Sequence, residues 1–238
     1  MSHKVIAIVP SSGLGRRFGS DANKPFQILG GKPLVVWALE ALESVDAIEE
    51  IIPVLRKEDV ERGIEVFRSY NISKTKRVAA GGKERQDSVY NGLKLIGDKN
   101  CIVLIHDGVR PFIEKDLIEK VIKELLKRGK GGLKSFDGVV LGVPVKDTIK
   151  EAGSGIIKRT IRRDSLWAIQ TPQVFPYKKI SAAYKKSIKE GFYSTDDAAL
   201  MERYGGKIKV IMGSYSNIKI TTPDDLIFAE YLISRGRT

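Results

Sequence analysis

Val5-Ile6-Ala7-Ile8-Val9 is apolar at every position. A strand with one face in water alternates apolar and polar residues. A strand without alternation is covered on both faces, as in a parallel sheet between two layers of helices. The same pattern recurs. Strand-like runs are read at Val5–Val9, Glu50–Val54, Arg77–Ala79, Cys101–His106, Gly138–Val145, Ala168–Gln170 and Lys207–Met212. Between them, Pro33–Ser44, Asp59–Ser69, Arg85–Ile96, Lys115–Lys127 and Lys178–Glu190 repeat apolar residues at i, i+3, i+4, which predicts helices. Pro33 suits a first helical turn. Ser194 and Asp197 have capping-box spacing for another helix, and Thr222-Pro223-Asp224-Asp225 opens a last one that runs to Ile233.

This alternation predicts an α/β fold: three layers around a mostly parallel sheet, with ligands at the carboxyl ends of the strands. No repeat or linker divides the chain, so residues 1–238 are expected to form a single domain. One stretch departs from the pattern. Residues 147–163, DTIKEAGSGIIKRTIRR, alternate apolar and polar around Gly153-Ser154-Gly155, a hairpin signal. The hairpin lacks the apolar mass to cover itself, and two strands alone are marginal. It is expected to project from the sheet as an arm and to pack on a second copy, making a homodimer.

Composition narrows the partners. The formal net charge is +12, which favours anionic ligands. The basic residues are spread along the chain with no block interleaved with aromatics, which argues against nucleic acid. No run of about 18 apolar residues is present, so no membrane span is expected. Met1–Lys4 is polar, so no secretory signal is expected either. A single cysteine, Cys101, and two histidines exclude the usual zinc clusters and fit a reducing cytoplasm.

Four loops after strands carry the chemistry. The first, PSSGLGRRFGSDANKPF, follows the first strand at residues 10–26. Gly13 and Gly15 permit close backbone approach and an anion-binding concavity, and Arg16, Arg17 and Lys24 add full charges. The spacing matches neither a Walker loop nor the G-x-G-x-x-G fingerprint. The second, Gly81-Gly82-Lys83-Glu84-Arg85-Gln86-Asp87-Ser88, opens a helix with bare amides and the Ser88 hydroxyl. In the third, His106-Asp107-Gly108-Val109-Arg110, Asp107 is placed to hold Mg2+ at the end of a central strand. The fourth, Asn217-Ile218-Lys219-Ile220, sets Lys219 between apolar neighbours, where it needs an anion or a carboxylate partner. No triad or activated thiol is evident. One carboxylate, several fixed cations and amide nests suit phosphoryl or nucleotidyl transfer.

These residues resemble the 2-C-methyl-D-erythritol 4-phosphate cytidylyltransferase family. PSSGLGRRFGSDANKPF is similar to its signature loop, and GGKERQDSV, HDGVRPF, PVKDTIK, LWAIQTPQVF, TDDAALMERYG and NIKITTPDDL follow its later blocks in order, across essentially the whole chain. The resemblance implies a Rossmann-like architecture of the nucleotide-diphospho-sugar transferase type. It implies transfer of CMP from CTP to 2-C-methyl-D-erythritol 4-phosphate, with Mg2+, by direct in-line attack on the α-phosphate. It further implies that Arg17 and Lys24 stabilise charge at the α-phosphorus. Ser11, Ser12 and Gly13 approach the nucleotide through backbone atoms, Gly82 and Ser88 read the cytosine edge, and Asp107 holds the metal. Arg110, Thr148, Thr171 and Lys219 surround the second substrate, and Arg163 reaches a neighbouring subunit to position it. Three departures stand out: Ser11-Ser12 replace the family's usual alanines, Ser216 stands where an acidic residue is frequent, and Asn23-Lys24-Pro25-Phe26-Gln27 replaces the usual Pro-Lys-Gln. Rival readings are a cytidylyltransferase for another alcohol phosphate, such as ribitol 5-phosphate, and a basic nucleic-acid-binding module.

Overall fold

The computed structural model describes residues 4–13, 23–127 and 135–236. In chain order its elements are β1 (Val5–Pro10), β2 (Ile28–Leu29), β3 (Lys32–Pro33), α1 (Leu34–Glu43), β4 (Ile48–Leu55), α2 (Val60–Ser69), β5 (Ala79–Ala80), α3 (Arg85–Leu95) and β6 (Ile102–Ile105). There follow α4 (Lys115–Leu126), β7 (Gly138–Pro144), β8 (Ile149–Gly153), β9 (Ile156–Ile161), β10 (Trp167–Pro176), α5 (Tyr177–Lys189), α6 (Asp197–Arg203), β11 (Ile208–Met212) and α7 (Pro223–Ser234). Among these residues seven strands form one sheet in the order β11-β7-β10-β6-β1-β4-β5.

The continuous apolar run of β1 is explained by its position. All six residues are buried, between parallel neighbours β4 and β6. Val5, Ala7 and Val9 point into one cluster with Val35 and Leu39 of α1 and Ile118 and Val121 of α4. Ile6 and Ile8 point into the other, with Val89 and Leu93 of α3 and Ile180 and Tyr184 of α5. The two-residue period of a strand thus feeds two helical layers. The fold is the expected α/β, mostly parallel and mixed by one strand: β10 runs antiparallel to both β6 and β7.

Several boundaries differ from the sequence reading for identifiable reasons. Pro33 ends β3 and caps α1 from outside rather than joining its first turn, because the Leu34 amide donates to the Gln27 carbonyl at 2.8 Å. The strand read at Arg77–Ala79 is the two-residue β5, since Arg77 turns sideways to clasp Glu50 with two contacts of 2.7 Å. The strand read at Ala168–Gln170 extends to Pro176; its register shifts between Ile169 and Gln173, across Pro172. Asp196, not Ser194, caps α6, accepting from the Ala199 amide at 2.9 Å, while the Ser194 amide is drawn to Gln86 Oε1.

Residues 147–163 form the expected hairpin. Among the described residues β8 and β9 pair antiparallel only with each other, and nearly every residue of both is exposed. Among the described residues no helix is long and apolar enough to cross a membrane.

Candidate active site

The loops at the carboxyl ends of β1, β4, β5 and β6 converge on a cavity of about 630 Å3. They fit against one another with little spare space. The Ser11 amide donates to Val54 at 2.8 Å, the Gly81 amide to Leu55 at 2.7 Å and the Gly108 amide to Pro10 at 3.3 Å. A Cβ on Gly108 would lie 2.0 Å from Ser11 Oγ, and one on Gly81 would lie 2.4 Å from the Ser12 Cβ. At Gly81 the clash is with a Cβ that cannot turn aside, so glycine lets these two loops close; at Gly108 a side chain would have to displace the Ser11 hydroxyl.

The turn that begins α3 is tied from within. Ser88, almost fully buried, donates to the Glu84 carbonyl at 3.0 Å, accepts from the Gly82 amide at 3.1 Å and meets Ser12 Oγ at 2.7 Å. The serine that departs from the family's usual alanine at position 12 thus joins the first loop to the second.

Asp107 is the electrostatic centre. Its Oδ1 accepts from Arg85 Nε at 3.1 Å, its Oδ2 pairs with Lys219 Nζ at 2.8 Å, and Arg110 Nε lies 3.7 Å from the same oxygen. Burial alone would raise the carboxyl's pKa; Arg85, Lys219 and Arg110 outweigh it and hold the group well below the usual carboxylate range. Arg85 is itself shared. Its Nη2 donates at 2.8 Å to Asp197, which is fully buried and also receives the Tyr184 hydroxyl. Burial opposes the Arg85 charge, but Asp197 and Asp107 more than restore it, so the guanidinium is firmly cationic.

A second chain of contacts supports the Asp107 backbone. Its amide donates to Thr171 Oγ1 at 3.0 Å, and that hydroxyl meets His106 Nδ1 at 3.1 Å. The other ring nitrogen of His106 is 3.1 Å from the Arg110 carbonyl. Burial pushes the His106 pKa down to about 4, so the ring is neutral near pH 7. Arg110 Nη1 donates to the Asn217 carbonyl at 2.7 Å, and the Ile220 amide donates to Val109 at 2.9 Å, which docks the Lys219 segment against the Asp107 loop.

The family model described as 2-C-methyl-D-erythritol 4-phosphate cytidylyltransferase matches residues 5–235. The chain belongs to the 2-C-methyl-D-erythritol 4-phosphate cytidylyltransferase family. It is 43% identical over 230 residues to the enzyme of that name from Geotalea uraniireducens, covering 95% of each chain. It is 44% identical over 229 residues to the one from Clostridioides difficile, covering 95% of this chain and 92% of the relative. Its fold is similar to the crystal structure of 4-diphosphocytidyl-2C-methyl-D-erythritol synthase from Anaerococcus prevotii, with a TM-score of 0.82 and 34% identity over 98% of this chain and 97% of that one.

Of the residues expected to act in this cytidylyltransferase-family chain, Ser11, Ser12, Gly13, Lys24, Gly82, Ser88, Asp107 and Lys219 line one cavity. Lys219 has the carboxylate partner its apolar setting demanded. Arg110 and Thr171 are buried behind Asp107, where they brace its loop. Thr148 and Arg163 lie away from the cavity, exposed at the base of the arm; Arg163 Nη1 donates to the Lys146 carbonyl at 2.5 Å. Arg17 lies outside the described residues.

Arg85, Asp197, Arg56 and Lys83 were not anticipated. Arg85 carried a usable signal. It is the first residue of α3, where the helix dipole disfavours a cation, so an arginine there needs an anion nearby. Asp197 gave none, because its neighbours read as an ordinary capped helix start.

Proposed function

We propose that this chain transfers CMP from CTP to 2-C-methyl-D-erythritol 4-phosphate, yielding 4-diphosphocytidyl-2-C-methyl-D-erythritol and pyrophosphate. The observation that carries the reading is the gathering of Asp107, Lys219, Arg85 and Lys24 in one cavity beside the Ser11–Gly13 turn, in a chain of this family. Two anions must come within roughly 3 Å of each other for one phosphate to attack another. Fixed cations lower that repulsion most when they need no rearrangement. Arg85 and Lys219 meet this condition, since both are already held on Asp107.

A phosphate oxygen of the alcohol phosphate attacks the α-phosphorus of CTP in line. The new O–P bond forms as the bond to the β-phosphate oxygen breaks, and pyrophosphate leaves with that electron pair. Lys24, buried at the cavity wall, faces the charge that builds at the α-phosphorus. The signature-loop resemblance gives Arg17 the same task. Ser11, Ser12 and Gly13 meet the phosphates through backbone atoms, and the Gly82–Ser88 turn bounds the cytosine. Because the Gly82 amide is held by Ser88, that hydroxyl acts by fixing the turn's shape.

Mg2+ fits the donor set. Among the described residues no group of three or more His, Cys, Asp or Glu side chains could hold a metal alone. Magnesium ordinarily takes one or two carboxylates and completes its shell with phosphate oxygens and water. Asp107 supplies the carboxylate here, and each of its oxygens keeps a lone pair beyond its cation contact. Bound there, the ion would neutralise charge on the triphosphate.

The second substrate is assigned to the side of Lys219, Arg110 and Thr171, completed by Thr148 and Arg163 of a second copy. The chain would then act as one unit over residues 1–238, with 147–163 as its dimerisation arm. The exposed Ile156 and Ile157 of that arm, 72% and 61% accessible, support this reading. Pyrophosphate release with CTP and either 2-C-methyl-D-erythritol 4-phosphate or ribitol 5-phosphate tests the substrate. Faster turnover is expected with the former; faster turnover with ribitol 5-phosphate would overturn the assignment.

A further inference from the structure

Arg56 and the residue behind it, Asp59, have no part in the reading above. Arg56 directly follows β4 and lines the cavity. It sits where the backbone of β4 holds both neighbouring loops, through Val54 to Ser11 and through Leu55 to Gly81. Its Nε pairs with Asp59 Oδ2 at 2.9 Å. The other oxygen of Asp59 accepts from Asn23 Nδ2 at 2.5 Å. Asn23 directly precedes the 3-10 turn Lys24–Phe26, and its carbonyl accepts from the Phe26 amide at 2.9 Å, so one buried carboxylate fixes a guanidinium and also the backbone entering Lys24. The same turn is held a second time by Arg62 of α2, whose guanidinium lies 4.6 Å from the centre of the Phe26 ring.

Arg56 Nη1 lies 3.9 Å from Glu58 Oε1, too far for a hydrogen bond. Among the described residues the outer edge of the guanidinium therefore keeps donors for the cavity. Planar guanidinium donors match phosphate oxygens well. An arginine already tied through Nε loses less rotamer freedom on binding than a free one.

We propose that Arg56 is a further binding residue for the polyphosphate chain of the nucleotide, and that Asp59 is a positioning residue keeping Arg56 and the Lys24 turn in register. The proposal rests on the nucleotide reading of the cavity.

The test compares Arg56→Gln with Lys57→Gln. Lys57 is exposed and off the cavity wall, so the second variant removes the same charge one residue away. Michaelis constants for CTP and for the alcohol phosphate are measured, together with pyrophosphate affinity by calorimetry. Arg56→Gln should weaken CTP and pyrophosphate alike by about tenfold, the scale of one charge-assisted hydrogen bond, and leave the alcohol phosphate constant unchanged. Lys57→Gln should leave all three within about twofold, as a screened surface charge does. Asp59→Asn should weaken pyrophosphate severalfold alone, but less in the Arg56→Gln background, where only its hold on the Lys24 turn is left to lose. Equal effects from Arg56→Gln and Lys57→Gln would overturn the proposal, because only net charge would then matter. So would loss of CTP affinity with pyrophosphate affinity intact, which would move the contact to the base or sugar. A wild-type protein that turns over no CTP would refute the nucleotide reading itself; wild-type turnover with an unaffected Arg56→Gln would refute only the role of Arg56.

Discussion

The floor of the cavity and the arm are built on opposite terms. On the floor, the Asp107 side chain is 8% exposed, flanked by Arg85, Arg110 and Lys219, and its backbone hangs from Thr171 and His106. In the arm, among the described residues, β8 and β9 pair with no other strand, and Ile156 and Ile157 stand in solvent. A buried carboxylate with one cation removed leaves uncompensated charge, so the floor tolerates little change. A two-stranded ribbon with exposed isoleucines gains order by packing on something else. The groups assigned to CTP are thus preorganised within one chain. Thr148 and Arg163, assigned to the alcohol phosphate, sit on the segment this chain leaves uncovered.

The sharpest way to break that contrast is at Lys24. Lys24→Ala should lower kcat by about 10^2-fold or more, the scale of losing one preorganised charge stabiliser. The melting temperature should move by only a few degrees, since the β-sheet core lies elsewhere. A variant that keeps near-normal turnover would remove Lys24 from the chemistry, and with it the claim that the floor does its work inside one subunit.

The arm is tested next, by mixing. If Arg163 completes the partner's site, Lys24→Ala and Arg163→Ala are each inactive as homodimers. A heterodimer of the two would own one intact site out of two. Random equal mixing makes half of all dimers heterodimers, so activity should recover to about a quarter of wild type. Ile156→Lys combined with Ile157→Lys should abolish the recovery and yield monomers by light scattering, while CTP binding persists. No recovery on mixing would place Arg163 in its own subunit's site or in none.

The same contrast explains which parts are legible in the sequence alone. β1 is legible because both of its faces are buried, so every side chain obeys one rule. The hairpin is legible because Gly153-Ser154-Gly155 sits between alternating runs, and its turn takes positive φ at Ser154 and Gly155. β10 runs past the strand read at Ala168–Gln170 because Thr171, Pro172 and Gln173 carry none of a strand's apolar signal. The polar residues of this stretch have partners in the fold: Thr171 serves the Asp107 amide, Gln170 reaches Ser214 and Gln173 reaches Asp196. Lys219 announced itself as a cation in an apolar setting. Asp197 and Asp59 did not, since a carboxylate near a helix start has an ordinary use there, and only the fold shows each one facing an arginine instead.

The smallest effect concerns acid, which should loosen the floor before the arm. The Arg110 carbonyl can only accept, so the neutral ring donates to it from Nε2, and Nδ1 accepts from the Thr171 hydroxyl. Protonating His106 would set a second N–H against the Thr171 hydroxyl and add charge beside Arg110. Burial, opposed by contacts with the Arg110 carbonyl and Asp107, lowers its pKa from 6.5 to about 4. Between those values the unfolded chain binds the proton and the native one does not, so stability falls as pH drops from 6.5 through 4. The depressed carboxyl of Asp107 also favours the fold above the normal aspartate pKa and loses that contribution only as pH falls further, towards its own lowered value. The arm's Arg159–Glu151 pair is exposed and contributes little to stability at any pH. The melting temperature of the wild type should therefore decline more steeply across this window than that of His106→Asn, whose amide cannot take up the proton. Parallel declines would mean that the imidazole is not what makes the floor sensitive to acid.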